Sequence, residues 1–250
     1  MKIGIPVAKS KTQVFINQAY VNFVSESGFD PILINDYNDI TFMAQICDGL
    51  LLPGGIDLEP TFYGEDNVGS IGSDPERDDF ERQVLQAFIL AGKKVFGICR
   101  GFQLMVREFI IGHEIKCAVF HQHVSNHSLA SDRNAKRSTP THSVYANMQE
   151  LYGEKNHTDM FVNSMHHQAL IATKVLNIEF KNGNTIKETA QTIFGLKTKN
   201  VKEHIVEAVD ITINGCKLRG VQWHPEELND VKLLQTFFAE NNKVLQHGKG

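Results

Sequence analysis

No apolar stretch in this sequence approaches the roughly 18 residues that a membrane-spanning helix requires. The opening "MKIGIPVAKS" reads as a strand and lacks the longer apolar core and small-residue cleavage site of a secretion signal. Both absences predict a soluble, cytoplasmic protein. Cysteine is sparse: Cys47, Cys99, Cys117 and Cys216 are scattered, with no CxxC pair. That argues against a zinc ribbon or a thioredoxin-like motif. A chain of this length without a secretion signal is also expected to keep its thiols free. The net charge of −4 leaves no basic excess to suggest nucleic acid. There is no internal repeat, low-complexity tract or linker, so residues 1–250 are read as one domain with no cofactor.

What is present is alternation. "KIGIPV" reads as a strand, residues 17–28 have helical spacing with a glycine stop, and "DPILIND" reads as a second strand. A strand then ends in the Pro-Gly-Gly turn of "DGLLLPGG". Residues 74–93 form an amphipathic helix whose acidic first turn suits the helix dipole. The strand at residues 94–98 leads into the helix "RGFQLMVREFI". Strand–helix alternation predicts an α/β fold, a doubly wound parallel sheet that binds ligands at the carboxyl ends of its strands. The Pro-Gly-Gly turn and Cys99 both fall at such ends. The second half reads as less regular, with a polar excursion over residues 123–142. Asn214-Gly215, between "AVDITI" and "KLRGVQW", signals a β-hairpin near the C-terminus, and residues 229–246 read as a closing helix.

Four short stretches carry chemistry. Gly97 and Gly101 flank Cys99 in a G-x-C-x-G pattern, the thiol version of a nucleophile turn between strand and helix. The N-terminus of the following helix favours a thiolate there. The plain alternative is a buried packing cysteine. "QWHPEE" places Glu226 two residues after His224. In extended backbone those side chains share a face, so a carboxylate could orient the imidazole. Alternatively it is a surface His-Pro turn. In "LLPGG", Gly54 and Gly55 permit close backbone approach and could offer amides to an oxyanion, with the Arg100 amide as a second donor. An ordinary turn reads the same way. The adjacent histidines of "VNSMHHQ" lack the ligand spacing of a metal site and fit better as a polar loop lining a small-molecule pocket.

In this order the pieces resemble the class I glutamine amidotransferase-like superfamily. They are most similar to its γ-glutamyl hydrolase branch, peptidase family C26, which includes the γ-glutamyl-γ-aminobutyrate hydrolases. The stretches that carry the resemblance are "DGLLLPGGIDLEPTFYGE", "DPERDDFE", "GICRGFQL", "THSV", "VNSMHHQA", "IVEAVDI" and "GVQWHPE". The resemblance implies a flavodoxin-like sheet and a Cys99–His224–Glu226 triad. It implies an oxyanion hole from the amides of Gly55 and Arg100. It also implies that Gly54, Gln103, Asn163, Ser164, Met165 and His166 bind substrate, with no metal. The implied reaction is hydrolysis of a γ-glutamyl amide through a glutamyl thioester. Two stretches depart from the family pattern. "LMVREFIIGHEIKCAVFHQH" replaces an Asn-Val and Gly-Gly segment, on the side that bears on the leaving group, and residues 126–137 look individual.

Three readings follow. The first is a stand-alone γ-glutamyl hydrolase acting on a small-molecule γ-glutamyl substrate. The second is a glutaminase subunit delivering ammonia to a separate synthase partner, since the chain has no room for a synthase domain. The third, a non-catalytic binding module, does not need Cys99, His224 and Glu226 together. A homodimer is left open.

Overall fold

The structure, a computed structural model, describes residues 1–109, 118–124, 136–154, 157–172, 177–182, 186–195, 204–213 and 215–239. In the first half, strands β1 (Lys2–Pro6), β2 (Ala8–Lys9), β3 (Val14–Phe15), β4 (Asp30–Ile34), β5 (Gly49–Leu52) and β6 (Lys94–Ile98) are interleaved with helices. These are α1 (Gln18–Glu26), α2 (Ile40–Ile46), α3 (Pro75–Leu90) and α4 (Arg100–Phe109). Three of the helix starts are written locally. Asn17, Asp39 and Asp74 each sit in extended backbone and accept a bond from a first-turn amide, and Pro75 follows the last of them.

The second half holds β7 (Ala118–His121), β8 (His142–Asn147), α5 (Met148–Tyr152), β9 (His157–Val162) and β10 (Ala169–Ala172). It continues with β11 (Asn177–Asn182), β12 (Ile186–Gly195), β13 (His204–Ile213), β14 (Cys216–Val221) and α6 (Val231–Ala239). β4, β1, β5, β6 and β14 pair in parallel, in that order. Counted alone, these five have the 2-1-3-4-5 order of a flavodoxin-like sheet. Beyond β14 the sheet continues antiparallel through β13, β12, β8 and β9.

Side chains of the parallel strands alternate between two cores. Leu50, Leu52 and Val95 join Val84, Leu85, Phe88, Phe102 and Met105 under α3 and α4. Leu51, Phe96 and Ile98 join Phe23, Val24, Leu233 and Phe237 under α1 and α6. A sheet covered on both faces needs apolar side chains on both, which is why "GLLL" has no polar position.

The doubly wound sheet expected from the sequence is present. So is the hairpin: β13 and β14 pair from Ile213–Cys216 back, with Gly215 at a φ of 79°. Asn214 lies outside the described residues, as do much of the polar excursion and the end of the closing helix. The second half, read as less regular, is mostly strand among the described residues. A half-buried antiparallel strand should alternate apolar and polar residues, but β9 carries the exposed Phe161 between the partly buried Met160 and the buried Val162, which breaks the period-2 signal. No helix among the described residues is long and apolar enough to cross a membrane.

Phe88, fully buried between α3 and the sheet, sets the scale for this core. Phe88→Ala is expected to destabilise the fold by about 3–5 kcal/mol in urea denaturation. Leu90→Ala, two residues on and largely exposed, should cost about 0.5 kcal/mol or less.

Candidate active site

The first element of the site is the turn between β6 and α4. Cys99 has a φ of 50°, in the left-handed region that side chains other than glycine rarely adopt. Close packing closes this turn on both sides. A Cβ at Gly97 would come within 2.8 Å of the Gly101 backbone, and a Cβ at Gly101 would stand 2.3 Å from the Leu52 carbonyl oxygen. The Cys99 N–H donates to the Val221 carbonyl at 2.8 Å, and the Cys99 carbonyl accepts from Gln103 N–H at 3.0 Å. The thiol is buried at the mouth of two strands that end in register, Val221 opposite Ile98.

Three residues past Val221 comes His224. Its ring donates from Nδ1 to Glu226 Oε1 at 2.6 Å, and both side chains are buried. The expected pairing is there, but its local cause is different. Residues 225–229 form a turn rather than extended backbone, with Glu227 N–H donating to the His224 carbonyl at 3.2 Å. Burial works against a charged His224 ring, but the Cys99 sulfur as thiolate and the Glu226 carboxylate outweigh it. The imidazole is pushed up to about 10. Asn163, fully buried, clamps the backbone of this histidine: its Oδ1 accepts from His224 N–H at 3.0 Å and its Nδ2 donates to the His224 carbonyl at 3.1 Å.

β5 ends beside β6 and brings the Pro-Gly-Gly turn against the cysteine. A Cβ at Gly54 would lie 3.4 Å from the Cys99 Cβ and 3.1 Å from His224 Cε1. The Gly54 amide is already committed, donating to the Tyr20 hydroxyl at 3.0 Å. Burial, then the charges of Glu226 and Cys99, hold that phenol well above its ordinary range, so it stays neutral. The Gly54 carbonyl accepts from Arg77 Nη2 at 3.0 Å. Arg77 Nε donates to Glu81 Oε1 at 2.7 Å, while the other Glu81 oxygen and Asp78 both pair with the Arg100 guanidinium. Burial opposes the charge on Arg100, but Glu81 and Asp78 more than offset it. Arg100 therefore turns its side chain into the protein and leaves its backbone N–H at the first position of α4, where no carbonyl of the same helix can reach it.

Gln103 is buried one turn along α4 and donates to the Gln168 carbonyl at 3.0 Å and to Gln222 Oε1 at 3.2 Å. Ser164, Met165 and His166 lie on the loop between β9 and β10, with Ser164 and His166 buried and Met165 partly so. The adjacent histidines go separate ways. His166 Nδ1 donates to the Gln168 carbonyl at 2.9 Å, and His167 Nε2 meets Asp57 Oδ2 at 2.9 Å. Gln168 pins the segment after the Pro-Gly-Gly turn, accepting from Leu58 N–H at 3.1 Å and donating to Ser70 Oγ at 2.6 Å.

The structure thus gathers Gly54, Gly55, Cys99, Arg100, Gln103, Asn163, His224 and Glu226 around the ends of β5, β6 and β14. Reading the sequence assigned no role to Tyr20, Arg77 or Glu81, took Asp78 only as part of an acidic first turn and took Gln168 only as the end of a polar pocket loop. One signal was available. Asp78 and Glu81 fall on the same helical stripe as Leu85 and Phe88, so two carboxylates sit on the apolar face of α3. Tyr20 shares the apolar spacing of α1 and has no such mark.

Fold and site together define a flavodoxin-like α/β protein with a thiol raised on a strand-to-helix turn beside a histidine–carboxylate pair. The chain belongs to the Peptidase C26 family, whose model matches residues 5–226, and is a glutamine amidotransferase-like hydrolase. It is 27% identical to the glutamine amidotransferase-like protein YvdE of Lactococcus lactis, over 89% of this chain and 87% of that one. It is 25% identical to the γ-glutamyl-γ-aminobutyrate hydrolase PuuD of Escherichia coli, over 90% of this chain and 85% of that one. The glutaminase domain of Trypanosoma brucei CTPS shares the fold, with a TM-score of 0.53, 14% identity and coverage of 95% of this chain and 92% of that one.

The charge environment of His224 can be tested by itself. In imidazole NMR titrations its ring should remain an imidazolium from pH 5 to pH 8, consistent with a value near 10. Cys99→Ala removes the neighbouring sulfur charge, so the titration should move down towards the ordinary histidine range. A ring already neutral at pH 8 in the wild type would contradict the pairing.

Proposed function

We propose that this protein hydrolyses the γ-glutamyl amide bond of a small γ-glutamyl conjugate, with Cys99 as nucleophile, His224 as proton carrier and Glu226 as its orienting carboxylate. The observation that carries this reading is the bond from Cys99 N–H to the Val221 carbonyl. It joins a cysteine at φ 50° to the strand that delivers the His224–Glu226 pair. A packing cysteine has no need of a left-handed turn at a helix N-terminus, nor of a buried imidazole–carboxylate pair beside it. The family membership and the γ-glutamyl hydrolase among the relatives support the same choice of bond.

In this mechanism the Cys99 thiolate attacks the γ-carbonyl carbon. The oxyanion that forms is held by the N–H groups of Gly55 and Arg100. His224, as imidazolium, gives its proton to the leaving nitrogen as the C–N bond breaks, and a glutamyl thioester remains. Water then attacks the thioester while His224 takes up a proton. Glutamate leaves and the thiolate is restored. Gln103 and the loop holding Ser164, Met165 and His166 border the glutamyl group. Gly54 and Asn163 contribute differently, because the Gly54 amide and the Asn163 side chain are spent on Tyr20 and on the His224 backbone.

Glutamate release across a panel of γ-glutamyl conjugates, with glutamine included, tests the reading. Cys99→Ala should abolish release while keeping the fold. Glu226→Gln should cost less than loss of Cys99 or His224, because an orienting group matters less than the nucleophile and base. Full activity in Cys99→Ala would overturn the mechanism. A strong preference for glutamine would favour a glutaminase subunit working with a synthase partner.

A further inference from the structure

Arg77 grips a peptide group that the mechanism needs in one orientation. The peptide unit is planar and trans, so the Gly54 carbonyl and the Gly55 N–H point to opposite sides of it. With the Gly54 oxygen on Arg77 Nη2 at 3.0 Å, the Gly55 N–H must face away from the guanidinium. The reversed peptide would turn that N–H onto a cation and put a carbonyl oxygen where the oxyanion should form. Two consecutive glycines make such a reversal sterically easy, so something outside the turn has to oppose it. Gly55 has no room for a side chain: a Cβ there would stand 2.3 Å from Arg77 Nη1. The guanidinium is itself held by Glu81, whose side chain is fully buried and whose second oxygen pairs with Arg100.

We propose that Arg77 is a positioning residue that locks the Gly54–Gly55 peptide with its N–H in the oxyanion site, and that Glu81 couples this lock to the second donor by holding Arg100. The proposal rests on the reading of Gly55 and Arg100 as oxyanion donors. It places a single carboxylate behind both halves of the hole. One oxygen acts through Arg77 on the end of β5, and the other through Arg100 on the start of α4.

The test uses Arg77→Met and Arg77→Lys in the full chain, with whichever γ-glutamyl conjugate the wild type cleaves fastest. Three quantities are read: the split between kcat and KM, the rate at which iodoacetamide alkylates Cys99, and the melting temperature. Alkylation needs the thiolate but forms no oxyanion, so it reports the nucleophile alone. Arg77→Met should lower kcat by about 100-fold, the scale of one lost oxyanion donor. KM and the alkylation rate should stay within about twofold of wild type. Arg77→Lys keeps a donor but not the fork, and should fall between the two. Millimolar guanidinium should restore part of the kcat of Arg77→Met. The lock is overturned if Arg77→Met keeps more than about half of the wild-type kcat. It is also overturned if alkylation and melting temperature fall in step with kcat, because Arg77 would then be structural. A wild type that alkylates normally yet cleaves no γ-glutamyl amide overturns the functional reading, and the lock falls with it.

Discussion

The bond from the Cys99 N–H to the Val221 carbonyl connects two strands that are more than a hundred residues apart in the chain. β6 and β14 run parallel and stop at the same level, and this bond closes the gap between them just where the backbone of β6 turns into α4. A cysteine at positive φ is strained, and the strain persists only if the surroundings leave no other path. Here Gly97, Gly101 and Leu52 fill the inside of the turn, and the Val221 carbonyl holds its outer edge. The same constraint decides where His224 emerges, since the chain leaves β14 directly beside the cysteine.

Around this turn the protein has buried an unusual number of charges. Asp78, Glu81 and Arg100 are almost wholly hidden, with Arg77 close behind. Removing one partner from such a set costs about 3–5 kcal/mol, yet replacing the whole set by apolar side chains of similar volume is often neutral or better. Stability alone therefore does not account for the cluster. Its geometry gives another account: Arg77 carries the set to the Gly54 carbonyl, Arg100 carries it to the first residue of α4, and Glu81 joins the two guanidinium groups. Hydrogen-bonded ions are directional in a way that apolar contacts are not. They can hold a peptide plane, whereas a leucine can only fill space beside it.

The polar side chains of the opposite wall follow the same rule. Asn163 holds both backbone groups of His224, and Gln168 holds both backbone groups of Leu58. Glu207, buried on β13, lies 3.3 Å from His142 Nε2 and 4.0 Å from His166 Nε2. In a low-dielectric interior the paired amides of Asn163 and Gln168 hold their backbone partners firmly. They tie the loop between β9 and β10 to His224 and to Leu58.

Much of this was legible in the chain. The alternation up to α4 follows from local signals: apolar runs, Asn or Asp caps, and glycine stops, all of which act within a few residues. G-x-C-x-G marks a strand-to-helix turn because small residues are needed wherever backbones touch. The pairing of His224 with Glu226 was visible as a spacing, although the backbone that produces it is a turn and not a strand. Of the antiparallel half only the β13–β14 hairpin was legible, from its Asn-Gly turn; in β9 the exposed Phe161 beside Met160 and Val162 breaks the alternation that would mark a half-buried strand. What the sequence by itself determined is therefore local: where elements start and stop, which faces are apolar, and which residue types stand at strand ends. Only the tertiary structure decided that α3 points Asp78 and Glu81 inward at Arg100, that Tyr20 takes the Gly54 amide and that Asn163 clamps His224. Those contacts join residues far apart in sequence, and their partners are set by how helices and strands stack, which no local pattern encodes.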